Sequence, residues 1–185
     1  IRGGIIMSKK VLILSSSLRR GSNSEALADE LRRGAEDAGH SAEKISLAEK
    51  TISFCRGCLT CLKTGKCIIN DDSREITEKM FRAEVIVFAT PVYYYSICGQ
   101  LKTLFDRANA LFASDYSFRD IYLLAAAAED EDETVKGAVT AVQGWVDCFE
   151  KAALKKTIFA GGVSDAGDIK GHRALREAYE TGMKL

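Results

Sequence analysis

Proline is almost missing from this sequence: Pro91 stands alone among 185 residues. No low-complexity linker, internal repeat or second domain can be traced, and residues 7–185 read as a single domain. Histidine is also scarce. His40 and His172 belong to no recognisable catalytic triad, and both read as surface residues. An excess of one charge is lacking too, because 26 basic residues balance 26 acidic ones. That balance argues against a nucleic-acid partner, since non-specific binding to a polyanion rests on surplus positive charge. Long apolar runs are absent. The run "IYLLAAAA", Ile121 to Ala128, is far too short to cross a bilayer. The opening "IRGGII" precedes Met7-Ser8-Lys9-Lys10, which reads as a natural start. Residues 1–6 therefore read as an appended remnant without the length or cleavage site of a signal peptide. The expected setting is the cytoplasm, with no membrane partner.

What remains is a composition ordinary for a globular domain, 46% hydrophobic and 28% charged. Cysteine is the exception in its distribution. Four of the six cysteines, Cys55, Cys58, Cys61 and Cys67, fall within "FCRGCLTCLKTGKC". In a reducing compartment such a cluster suggests metal, cluster or redox use before disulfides. The spacing is Cys-x2-Cys-x2-Cys-x5-Cys. Its short steps let four thiolates converge, as an iron–sulfur cluster requires. Zinc sites more often use two separate Cys-x2-Cys pairs, whereas here the pairs share Cys58. Phe54, Leu59, Leu62 and Ile68 would either shield a cluster or pin the loop to the body of the protein.

Short apolar runs alternate with longer periodic ones, the pattern of βαβ units around a parallel sheet. Strands are expected over Lys10–Leu14, Ser41–Leu47, Glu84–Pro91, Ile121–Ala128 and Lys156–Gly161, the third stopped by Pro91. A helix from Ser24 to Gly39 carries Leu27, Leu31 and Ala35 on one face. Others carry Ile76 and Met80 behind Asp72; Ile97, Leu101, Leu104 and Phe105; and Val135 to Phe149; a last one spans residues 170–182. The class is α/β, a three-layer sandwich with a five-stranded parallel sheet. Ligands in such sheets bind beyond the carboxyl ends of the strands.

The loop after the first strand, "SSSLRRGSNSEAL", concentrates hydroxyls at a helix N-terminus, a natural anion site. It matches neither the nucleoside-triphosphate loop nor the dinucleotide fingerprint, and it has no cysteine nucleophile. A phosphate held without chemistry, as in a mononucleotide such as FMN, fits what is left. After the third strand comes "ATPVYYYSICGQLKTLFDRA". Three consecutive tyrosines cannot all enter one core, and aromatic faces with free amides suit a flat heteroaromatic ring. Lys102, Asp106 and Arg107 read as a helix face with local pairs, and Cys98 as a small packing residue. The acidic run Glu129–Glu133 reads as the start of the following helix, less readily as a charge gate beside a flavin.

These two loops, with "GGVSDAGDIKGHRALREAYETG" near the end, make the chain resemble the flavodoxin-like NAD(P)H-dependent FMN reductase family. Within it the cysteine spacing is similar to the iron–sulfur flavoprotein subgroup. The resemblance implies strand order 2-1-3-4-5. It implies an FMN phosphate site at Ser15, Ser17, Arg19, Ser22, Asn23 and Ser24, and an isoalloxazine site at Pro91, Val92, Tyr93, Tyr94, Tyr95 and Ser96. Ser16 stands where the family usually has glycine. The resemblance further implies NAD(P)H as co-substrate, a small-molecule or protein redox partner such as flavin or quinone, and a homo-oligomer, dimer or tetramer. For Cys55, Cys58, Cys61 and Cys67 it implies a [4Fe-4S] cluster, on the side where the flavin lies. An electron-transfer protein and a thiol redox sensor stand beside the reductase as alternatives.

Overall fold

The computed structural model describes residues 7–185; the expected remnant at residues 1–6 lies outside them. Five strands form one parallel sheet: β1 (Lys10–Ser15), β2 (Ser41–Ser46), β3 (Val85–Tyr93), β5 (Asp120–Ala126) and β6 (Ala153–Ala160). Their order is β2-β1-β3-β5-β6. That is the expected 2-1-3-4-5, with one addition. A two-residue β4 (Ser96–Ile97) pairs antiparallel with the end of β3. Two residues carry no periodicity, so β4 leaves no trace in the pattern.

The helices are α1 (Asn23–Asp37), a short α2 (Thr60–Thr64), α3 (Ser73–Arg82), α4 (Gly99–Arg107), α5 (Asp132–Val146) and α6 (Arg173–Gly182). Alternation along the strands divides the core. Val11, Ile13, Val85 and Val87 meet Leu27 and Leu31 of α1 and Ala174 and Ala178 of α6 on one face. Leu12, Leu14, Ile86 and Phe88 meet Ile76 and Met80 of α3, Leu101 and Leu104 of α4, and Val142 of α5 on the other. Both faces of the sheet are covered, which is why its inner strands read as continuous apolar runs. Helices α1 and α6 cross at backbone contact. A Cβ on Gly34 would lie 2.1 Å from the carbonyl oxygen of Tyr179.

Three expectations are corrected. β3 runs through Pro91 to Tyr93. Pro91 is the last residue of β3 to pair with β5; lacking an N–H to give the parallel ladder, it marks where the strand leaves the sheet for β4. His40 is buried, 7% exposed, and its Nδ1 accepts from the Lys9 N–H at 3.1 Å. It closes the turn between α1 and β2. His172 is half-buried and caps α6, accepting from the Ala174 N–H at 3.1 Å. No described helix is long and apolar enough to cross a membrane.

Candidate functional site

The segment between β1 and α1 is built to hold something. Ser22 caps α1, accepting from the Glu25 N–H at 3.2 Å. The Ser17 hydroxyl accepts from the Arg19 N–H at 3.2 Å. The hydroxyls of Ser15 and Ser24 are buried and have no protein partner. An unpaired buried hydroxyl costs about 1–3 kcal/mol, and here two flank one helix N-terminus. Acceptor oxygens of a phosphate would satisfy both, in the field of a 15-residue helix. On this observation the loop fits the phosphate of FMN.

Two neighbouring residues are engaged elsewhere. Asn23 donates from Nδ2 to the Asp165 carbonyl at 2.9 Å and accepts from the Gly167 and Ile169 N–H groups at 3.2 Å. Its side chain therefore locks the loop after β6 against α1 and is not free for a phosphate. Arg19 donates to the Ser164 carbonyl at 2.7 Å, so it joins the same two loops. Ser16, the departure from glycine, donates to the Ala89 carbonyl at 2.8 Å and meets the Cys98 sulfur at 3.1 Å. Cys98 is 1% exposed, so the extra hydroxyl is absorbed into a buried tie between β1, β3 and α4.

The second loop is a hairpin. Tyr94 and Tyr95 occupy its turn with φ of +48° and +61°, the conformation that favours Asn-Gly in two-residue turns. Tyr93, Tyr94 and Tyr95 are all exposed, Tyr94 fully so. The strained turn is fixed from behind. A Cβ on Gly137 of α5 would lie 2.0 Å from the Tyr95 carbonyl oxygen, so only glycine lets α5 approach. Glu129, beside the Tyr95 hydroxyl, raises its pKa together with Glu131. The acidic run is thus divided: Asp132 and Glu133 begin α5, while Glu129 faces the hairpin.

The cysteine loop leaves the carboxyl edge of the sheet after β2. Its cysteines gather elsewhere. Cys55, Cys58, Cys61 and Cys67 line one cavity of about 30 Å³, together with Asp106, Arg107 and Asn109 at the far end of α4. That end lies about 13 Å along the helix from Cys98 at the hairpin, at about 1.5 Å per residue. The cysteine cavity thus adjoins the end of α4 remote from Cys98. Cys55 and Cys58 are exposed, while Cys61 and Cys67 are half-buried. Asn109 donates to the Cys61 sulfur at 3.4 Å. Hydrogen bonds from the Thr60 hydroxyl and amide lower the Cys58 pKa. Among the described residues, no three His, Cys, Asp or Glu side chains are grouped tightly enough to hold one metal ion, so a preformed zinc site is not present there. Phe54, Leu59, Leu62 and Ile68 are all exposed, so they do not pin the loop to the sheet; Leu59 and Ile68 line the cysteine cavity.

Arg107 carries the largest correction. Lys102 and Asp106 do pair along α4 at 2.7 Å. Arg107 instead turns inward, 2% exposed, and grips Asp71 with two bonds of 2.7 and 3.0 Å. The same guanidinium donates to the carbonyls of Ser53 at 2.7 Å and Ile69 at 3.2 Å. It thus holds both ends of the cysteine loop. Burial favours the neutral Arg107, but Asp71 and Cys67 outweigh it and raise its pKa. Burial likewise pushes Asp71 upward, and Arg107, the Ser53 N–H and the Ser73 hydroxyl together hold it well below the ordinary carboxylate range.

Residues 9–143 match the family model described as NADPH-dependent FMN reductase. The chain belongs to that family. An iron-sulfur flavoprotein of Archaeoglobus fulgidus is 36% identical over 99 residues, 54% of this chain and 44% of that protein. One of Methanocaldococcus jannaschii is 40% identical over 102 residues, 55% and 53%. The chain thus spans about half the length of these curated relatives. A putative NAD(P)H-dependent FMN-containing oxidoreductase of Bacillus subtilis is 25% identical over 179 residues, 91% of this FMN reductase family member and 94% of its own length. Among solved structures, an NAD(P)H:quinone oxidoreductase of Methanothermobacter marburgensis superposes with a TM-score of 0.73 at 19% identity, covering 96% and 97% of the two chains. At that identity the likeness is one of fold.

Proposed function

We propose that this family member is an FMN-binding oxidoreductase that takes electrons from NAD(P)H and passes them to an acceptor such as flavin or quinone. The pair of orphaned hydroxyls, Ser15 and Ser24, carries the reading. Ser15, Ser17, Ser22 and Ser24 with the loop amides would hold the phosphate, and Asn23 and Arg19 would brace that loop. Pro91, Val92 and the Tyr93–Ser96 hairpin would bind the ring. When bound, FMN supplies the redox chemistry, and the protein positions it and excludes competing reactions. The described chain is one domain over residues 7–185, working in the cytoplasm and as a homo-oligomer through its exposed aromatic hairpin, with a small-molecule or protein redox partner.

A second reading rests on a separate observation, the convergence of four thiols on one cavity with Asn109 donating to Cys61 and Arg107 charged beside Cys67. Thiolate ligation of a [4Fe-4S] cluster would give an electron-transfer flavoprotein. The donor set fits that group in kind. The cavity is about the size of one water, so taking in a cluster requires the exposed Cys55 and Cys58 side to move outward.

Anaerobic purification with flavin, iron and sulfide quantified together tests both. One FMN per chain with NAD(P)H oxidation and no iron supports the reductase alone. About four irons per chain adds the cluster. A protein that takes up no FMN on reconstitution overturns the first reading.

A further inference from the structure

A cavity of about 460 Å³ opens between α3, the end of the cysteine loop and the residues after α4. Its size is that of a small-molecule site. None of the phosphate-loop or hairpin residues lines it. Five of the side chains that line it are exposed and so can meet a ligand: Phe81, Lys66, Arg74, Glu75 and Glu78. Ala110 and Leu111, both buried, continue the apolar lining from Phe81.

The two signs of charge at this opening are not equally committed. Both acids are engaged along α3, Glu75 with Lys79 at 3.4 Å and Glu78 with Arg82. Lys66 and Arg74 enter no ion pair among the described residues. Arg74 is nonetheless held in place, donating from Nη1 to the Asn70 Oδ1 at 2.8 Å. That acceptor is a neutral amide, which leaves the guanidinium charge uncompensated. An apolar lining thus stands beside two cations without counter-ions.

We infer that this cavity binds a small amphipathic carboxylate. Its acid group lies between Lys66 and Arg74, and its apolar chain packs on Phe81. The two oxygens of a carboxylate suit two cations, and one of these presents the planar fork that such a group matches. A phosphate would call for further donors, which the cavity does not offer. The Ser114 hydroxyl already donates to the Leu111 carbonyl at 2.8 Å, and the Thr77 hydroxyl is buried away from the opening. The site draws on no flavin-loop residue and needs no cluster on the cysteine loop.

The probe is decanoate, with decanol, decylamine and decyl phosphate beside it. Binding is measured by calorimetry on FMN-free and FMN-loaded protein, below the concentration at which each probe forms micelles. Decanoate is expected to bind equally in both forms, more tightly than the other three, and more weakly as salt is raised. Lys66→Gln, Arg74→Gln and Phe81→Ala each weaken it by about fivefold. All three positions are exposed, and FMN content with far-ultraviolet circular dichroism confirms that each variant folds. Four outcomes overturn the site: no decanoate binding to the parent, binding lost on FMN loading, another probe bound as tightly, or affinity unchanged in both cation variants. A protein that takes up no FMN still gives the FMN-free measurement, so this site and the flavin reading fail separately.

Discussion

Replacing Arg107 with methionine removes the ion that joins the cysteine loop to α4. Methionine fills much of the volume, so the loss is chiefly electrostatic. Asp71 stays behind with its side chain 7% exposed, and the carbonyls of Ser53 and Ile69 lose their donor. Breaking one partner of a buried pair costs about 3–5 kcal/mol. With a urea slope of about 2 kcal/mol per molar for a domain of this size, the midpoint falls by about 1.5–2.5 M at unchanged slope. The pH dependence changes as well. In the parent, the Asp71 pKa is lower folded than unfolded. Its contribution is therefore full above the unfolded value of about 3.9 and is lost only as pH falls through the lower folded value. In the variant the burial that pushes Asp71 upward is no longer opposed by a cation. Protonation then relieves the folded-state penalty of its charge, so the variant's deficit against the parent narrows as pH falls into weakly acidic buffer. Adding Asp71→Asn restores part of the loss by removing the stranded charge. Urea titrations of the FMN-free protein at pH 7 and 5 decide the matter. A midpoint within about 0.5 M of the parent, a loss of under about 1 kcal/mol, refutes the clamp.

Ser24→Ala removes an orphaned hydroxyl, so FMN-free stability is unchanged or rises by up to about 1 kcal/mol, while FMN affinity falls about tenfold; urea titration and flavin fluorescence read the two effects. Gly137→Ala drives a methyl into the Tyr95 carbonyl and costs about 1–3 kcal/mol by overpacking, seen as a lower thermal midpoint with weaker flavin retention. Tyr94→Gly relieves a left-handed turn residue that is fully exposed and packs on nothing. Thermal melts should show a gain of about 0.5–1 kcal/mol, and a loss contradicts the strain.

The sheet was legible because its signal is local. Val11 and Ile13 against Leu12 and Leu14 read as one buried run, and the Leu27–Leu31–Ala35 stripe announces a helix that must cover it. That Tyr93–Tyr95 could not all be buried also followed from sequence, since three adjacent tyrosines exceed what one core side accepts; that all three are exposed did not. Arg107 was hidden for the opposite reason. Its partner Asp71 lies 36 residues upstream, and its other acceptors are backbone carbonyls, which have no residue signature. The one available hint was its position beside Leu104, Phe105 and Ala108, all buried. The role of the Asn23 side chain was hidden in the same way, because its partners come from a loop more than 140 residues away.

The neck of the cysteine loop has a consequence for engineering. Thr51 and Asp72 meet there, the Asp72 N–H reaching the Thr51 carbonyl at 3.2 Å and the Asp72 carboxylate accepting from the Thr51 N–H at 2.7 Å. The chain leaves and returns at almost one point. The intervening segment is therefore a transplantable cassette, replaceable by a tight turn without shifting the sheet. Its boundary is not continuous in sequence, however. Arg107 has to travel with it: left behind, the arginine is a buried cation without a counter-ion, and in a new host the loop arrives without its fastener.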